Sequence, residues 1–229
     1  MKLMFFDTET TGLPVDWKTS AITSPNNWPH IVSISWILYD ITLNVIDLNR
    51  NYTIYPEGWD IPEEASNIHN ITYEYAIIHG SSLRHVMNEF LHQKYDILVA
   101  HNMNFDYNVL VNAIQWDLKL PEWLQRLPKA RLCTMEISKN MCKLPSPYHG
   151  YKYPKLSELY EYVFKRPPMK EQLHNSWYDT FLLKEIVEKS DEIRIAMGLP
   201  TRAVKHTEKN GDHKNEPRTL YISLAETTR

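Results

Sequence analysis

Leu3 to Asp7 reads as a run apolar on both faces of an extended chain, ending where Thr8 to Pro14 turns polar. A strand of that kind belongs inside a sheet covered on each side. His30 to Asp40 reads as a second strand and Val45 to Tyr55 as a third, with a hairpin-like connection around Leu43 and Asn44. Ile97 to Ala100 is a brief fourth apolar run. Between them, Leu83, Val86, Met87, Phe90 and Leu91 take the offsets of one buried helical stripe. Further helices are expected from about Asn104 to Ala113, near Thr134, over Leu156 to Phe164 and over Tyr178 to Met197. Strands first, then strands and helices mixed, define an α/β sheet with helices on its faces and some antiparallel pairing.

Residues 1–199 read as one domain and 200–229 as a tail. Thr201 to Pro217 lacks apolar periodicity and suits a surface tail or mobile loop, while Leu220 to Leu224 has the pattern of an added edge strand. At 43% apolar and 23% charged side chains, the chain is too apolar for a disordered polymer, and six glycines exclude a collagen. Cys133 and Cys142 lie nine apart with no Cys-x-x-Cys, which suggests neither a disulfide framework nor a thiolate zinc site. The start MKLMFF lacks the features of a signal peptide, and no run reaches the roughly 18 apolar residues of a membrane span. The expectation is a cytoplasmic chain with no membrane partner. With 25 Lys plus Arg against 28 Asp plus Glu, the net charge of -3 argues against a broad polyanion-coating surface, so any nucleic-acid contact has to be local.

The chemistry-bearing residues are acids placed where core residues belong. Asp106 is followed by Val109, Leu110, Ala113 and Ile114, and Asp179 by Leu182, Leu183, Ile186 and Val187, at the same four offsets. Each aspartate therefore heads an apolar helical stripe. On the first strand Leu3, Phe5, Asp7 and Glu9 share a face. A carboxylate so placed costs several kcal/mol of desolvation, in order of magnitude, unless a cation or donors offset it. No Lys or Arg lies in the segments 5–13, 100–114 or 173–183, so metal ions are better candidates than ion pairs, and oxygen-only ligands favour Mg2+ or Mn2+. Structural explanations stand beside this one. Ser176-x-x-Asp179 fits a capping box, and Asp106 near a helix start suits the macrodipole. Neither explains why both helices aim an acid along the buried stripe. His174, five residues before Asp179, is a candidate general base from a loop.

As a set these residues resemble the DEDDh (DnaQ-like) family of 3'-to-5' exonucleases, which includes the proofreading subunit of bacterial DNA polymerase III. Its first motif is similar to FDTETTGLP at Phe6 to Pro14, its second to AHNMNFDYNVL at Ala100 to Leu110, and its third to HNSWYD at His174 to Asp179. A sister family with tyrosine four residues before the last aspartate is excluded, because that position is Asn175. IHNIT (Ile68 to Thr72) and Cys133-Thr134 followed by PKLSELY are further family-like pieces. Asn70 stands where relatives commonly have glycine, and asparagine tolerates the left-handed turn expected there.

The resemblance implies an RNase H-like fold, with a mixed central sheet of about five strands flanked by helices. It implies two divalent ions, Mg2+ or Mn2+, held by Asp7, Glu9, Asp106 and Asp179, about 3.5 to 4 Å apart and clamping the scissile phosphate. His174 takes the proton of the attacking water, and the product is a nucleoside 5'-monophosphate from a single-stranded or frayed DNA 3' end. It also implies that Thr10, Thr11, Gly12 and Leu13 approach the terminal nucleotide, with His101, Asn102 and Phe105 lining the same groove. Core packing is the competing reading for Leu13 and Phe105, and the loop Val15 to Pro29 is expected to shape access. Lys143 to Lys155 interleaves tyrosines and lysines, a composition that suits base stacking or a proline-bounded solvated loop. The alternatives in function are an exoribonuclease trimming short RNA and a catalytically idle nucleic-acid or polymerase-binding module; a DNA polymerase is the partner the family suggests.

Overall fold

The computed structural model describes residues 1–202. The expected edge strand at Leu220–Leu224 and most of the expected tail lie outside the described residues.

Five strands form one sheet in the order β3-β2-β1-β4-β5. They are β1 (Lys2–Thr10), β2 (Ile31–Asp40), β3 (Val45–Thr53), β4 (Ile97–Ala100) and β5 (Arg131–Cys133). β1, β2 and β3 pair antiparallel, whereas β4 pairs parallel with both β1 and β5. β1 is the middle strand, which is where a run apolar on both faces has to sit. Its alternation divides the core. Met4 and Phe6 pack on one face with α3 (Leu83–Leu91) and α4 (Met103–Asn112). Leu3 and Phe5 pack on the other with α6 (Leu156–Phe164), α7 (Ser176–Lys189) and α8 (Asp191–Ala196). All four are completely buried, each stabilising the fold by roughly 1.5–3 kcal/mol.

Several elements depart from the sequence expectation. β5 has three residues, too few to show a period, and α5 (Thr134–Cys142) follows it directly. α1 (Glu63–His69) and α2 (Tyr73–His79) have seven residues each, too short to write a stripe. Thr72 starts α2 by accepting from the Tyr75 N–H, and Asn70 ends α1 at φ 60°, the left-handed turn expected of it. The single helix expected over Tyr178–Met197 is two. Ser190 leaves the helical region, and its side chain accepts from the Ile193 N–H to begin α8. Among the described residues, no helix is long and apolar enough to cross a membrane.

Because β1 and β4 are parallel neighbours, both release their chains at the same edge of the sheet. β1 runs into the Thr10–Leu13 turn, and β4 enters α4 through His101 and Asn102. Carboxyl ends of neighbouring parallel strands are where open α/β sheets present ligand sites.

Candidate active site

Asp7 and Glu9 occupy the last turns of the β1 pleat, opposite Ser35 and Ser33 of β2, on the face covered by α7. Asp179 descends onto them from the first turn of α7. One ligand oxygen from each of Asp7, Glu9 and Asp179 lies within 4.8 Å of the others. Asp106 comes from the opposite helical layer. It is 3% exposed, and its Oδ1 accepts from the Thr8 hydroxyl at 2.8 Å and the Thr8 N–H at 3.2 Å. Thr8 lies between the two acids of β1 and points to the other face, so the strand's alternation brings acids from both layers to one strand end.

The electrostatics follow from this crowding. Burial, then repulsion from Asp106, Asp179 and Glu9, holds the Asp7 carboxyl well above the usual range. Burial, then Asp179 and Asp106, pushes Glu9 up to about 8. Burial takes Asp106 up to about 7 against the opposing Thr8 hydrogen bonds, and Asp179 up to about 7 against the His174 N–H. Asp179 Oδ1 is buried with no hydrogen-bond partner. Among the described residues, none of the ion pairs involves any of the four acids. Four oxygen donors and an orphaned buried carboxylate oxygen fit a hard divalent cation such as Mg2+ or Mn2+.

The capping-box reading of Asp179 does not hold. Asn175 is the residue that starts α7, its side chain accepting from Trp177 and Tyr178 N–H at 3.1 and 3.2 Å. Asp179 Oδ2 accepts instead from the backbone N–H of His174 at 3.2 Å. His174 is exposed, with a left-handed backbone at φ 62°. His174 lines a cavity of about 430 Å³ with Ser33, Asn51 and Trp177, and its contact with the acids is made by its backbone N–H.

A second cavity of about 470 Å³ opens from Thr8 and Glu9. Thr10, Thr11, Gly12, Leu13 and Phe105 line it. Leu13 is 73% exposed, so the core-packing alternative fails for it. Phe105 is half-buried against Trp17 and Trp28, with ring centroids 5.7 and 6.1 Å away. The far wall is α1, through Glu64, Ala65, Ile68 and His69. Sequence reasoning missed this wall and noticed only part of it, in Ile68 to Thr72. The available signal was Pro62 followed by two glutamates, the composition of a helix start.

His101 and Asn102 do not line that cavity. His101 Nδ1 is 3.0 Å from Thr134 Oγ1 and Nε2 is 3.0 Å from the Pro154 carbonyl oxygen. Burial lowers its pKa to about 4, so it is a neutral brace. Asn102 precedes α4 at φ 75°, its carbonyl accepting from the Phe105 N–H. The Val15–Pro29 loop is tied down rather than open. Asn27 donates to the Asp16 and Thr19 carbonyls, Ala21 N–H reaches Asn108, and the Trp116 indole donates to the Ala21 carbonyl.

No protein-family model and no curated protein matches the chain in sequence. Solved structures do match its fold. The zinc-bound E. coli exonuclease I complex with single-stranded DNA superposes with a TM-score of 0.61 at 16% identity, over 82% of this chain and 40% of that one. Exonuclease I of Methylocaldum szegediense gives 0.63 at 17% identity, over 85% and 42%. Cell-death related nuclease 4 (CRN-4) gives 0.60 at 15% identity, over 86% and 64%. The fold is RNase H-like. The chain spans about two fifths of the exonuclease I enzymes, so the similarity concerns one portion of them.

Proposed function

We propose that this chain is a divalent-metal-dependent 3'-to-5' exonuclease of the DEDDh type, releasing nucleoside 5'-monophosphates from single-stranded DNA. The observation that carries this reading is the meeting of Asp7, Glu9 and Asp179 within 4.8 Å, with Asp106 near enough to repel Asp7 and Glu9, Asp179 Oδ1 unpartnered, and Glu9 lining a cavity of nucleotide size. The names of the fold neighbours support it, since exonuclease I is described in complex with single-stranded DNA and with a dT13 strand.

Asp7, Glu9, Asp106 and Asp179 would hold two divalent ions, which supply charge neutralisation at the phosphate and acidify water for attack. Thr8 fixes one oxygen of Asp106 and leaves the other free to turn toward the cluster. The His174 N–H steadies Asp179, and the exposed His174 imidazole would accept the proton of the attacking water. Leu13, Phe105 and Ile68 would line the site of the terminal base. Residues 1–199 would carry this activity, and 200–229 would be an appended tail.

Digestion of a 5'-labelled single strand tests the reading. Mg2+ or Mn2+ should give a ladder shortening by single nucleotides, and EDTA should stop it. Immediate large fragments, or cleavage that survives chelation, would refute it.

A further inference from the structure

An acidic chain has to find its cations somewhere to hold a polyanion, and here they are segregated. Residues 119–170 carry eleven Lys and Arg against four Asp and Glu, a surplus of seven in a chain whose net charge is -3. This segment holds β5, α5 and α6 and borders the active-site edge beside β4. Within it, residues 143–155 contain three lysines and no acid.

The loop has defined geometry. The Lys152 N–H donates to the Leu144 carbonyl, and Pro145 pairs antiparallel with Tyr151, making a hairpin whose tip carries Tyr148. Tyr148 is 85% exposed and Tyr153 50%. Lys139 Nζ sits 4.3 Å from the Tyr153 ring centroid, and Lys143 and Lys155 are exposed. Exposed tyrosine rings grouped with lysines offer both a stacking face and a phosphate partner. The hairpin base is bolted to the active-site loop, because His101 holds the Pro154 carbonyl while its chain leads directly into α4 and Asp106. By contrast, the cavity of about 720 Å³ lined by Asp60, Glu63 and Glu74 carries acids and no cation, and would repel a phosphate chain.

We propose that the Lys143–Lys155 hairpin is the track for the single strand on the 5' side of the terminal nucleotide, with bases stacking on Tyr148 and Tyr153 and phosphates meeting Lys143 and Lys155. Aromatic faces among cations suit unpaired bases of any sequence. The proposal rests on the exonuclease reading for its direction along the strand, and it assigns His101 the role of coupling track to catalytic motif.

Fluorescence anisotropy of a labelled oligothymidylate, measured on the full chain in EDTA, reads the track without hydrolysis. Tyr148→Ala with Tyr153→Ala should weaken binding by at least about tenfold, with Phe at both positions restoring it. Lys143→Gln with Lys155→Gln should lower the slope of log affinity against log salt by about 1.4, or about 0.7 per phosphate contact on a single strand. All positions are exposed, and circular dichroism checks the fold of each variant. Wild-type affinity and slope in both pairs of variants would overturn the track, even if the strand is hydrolysed normally in Mg2+. Weakened binding by the variants with no hydrolysis by the wild type would keep the track and sink the exonuclease.

Discussion

The helix α7 packs charged groups beneath the surface at both ends, and the two ends treat them oppositely. At its carboxyl end Lys184 pairs with Glu188, which also meets Lys189. Arg194 of α8, 2% exposed, donates to the carbonyls of Val187, Glu188 and Pro200. At its amino end Asp179 joins Asp7 and Glu9 with no cation among the described residues and one oxygen unpartnered. Both ends carry the desolvation cost of buried charge. Charge satisfied by the chain's own partners holds the fold together, whereas charge left unsatisfied requires a ligand from outside. Removing a member of the first cluster should therefore damage stability, and removing a member of the second should damage activity.

The largest expected effect is on turnover. Asp7→Ala should abolish mononucleotide release in Mg2+, to the level seen with EDTA, in the end-labelled strand assay. Retained activity would erase the distinction between the two ends. Next is His174→Ala, expected to lower kcat by roughly 10²- to 10⁴-fold, the usual loss of a general base. A full-activity variant would remove His174 from the mechanism.

Glu188→Gln should do the reverse. Leaving Lys184 without its buried partner should cost about 2–3 kcal/mol and lower Tm by roughly 5–10 °C, with kcat within about twofold of wild type. A large loss of kcat without a loss of Tm would contradict the comparison.

A smaller effect separates the ends by pH. Glu9 is held at about 8, Asp106 and Asp179 at about 7, and Asp7 well above its ordinary value. Raised carboxyl pKa values mean that the folded state binds protons more tightly than the unfolded one. Their contribution to stability is thus fully present below about pH 4 and lost as pH rises through 7 to 8. Metal-free protein should accordingly lose Tm between pH 5 and 8. Asp7→Asn should recover a few degrees at pH 8 by removing repulsion, and an unchanged or lower Tm there would argue against a crowded acid cluster.

Much of this arrangement was legible from residue pattern, for reasons the structure makes explicit. A middle strand has no solvent face, so β1 had to be apolar on both sides, and its period of two put Asp7 and Glu9 together. The stripes of α4 and α7 were long enough to expose an acid out of place. What pattern did not reveal is carried by short elements. β5 and α1 span one to two turns or pleats, and α1 supplies a cavity wall. The placement of His101 was misjudged because spacing along the chain does not say which way a ring turns. Its two nitrogens are taken by Thr134 and Pro154, residues 33 and 53 positions away.

Calorimetric titration of Mn2+ into the metal-free full chain at pH 7, repeated in buffers of different ionisation enthalpy, addresses the acid cluster most directly. Binding has to expel the protons that burial, and then mutual repulsion, hold on these carboxyls. The expected result is saturable uptake with net proton release, both strongly reduced in Asp7→Asn. Absence of uptake, or uptake by wild type and Asp7→Asn alike with no proton released, would contradict the account.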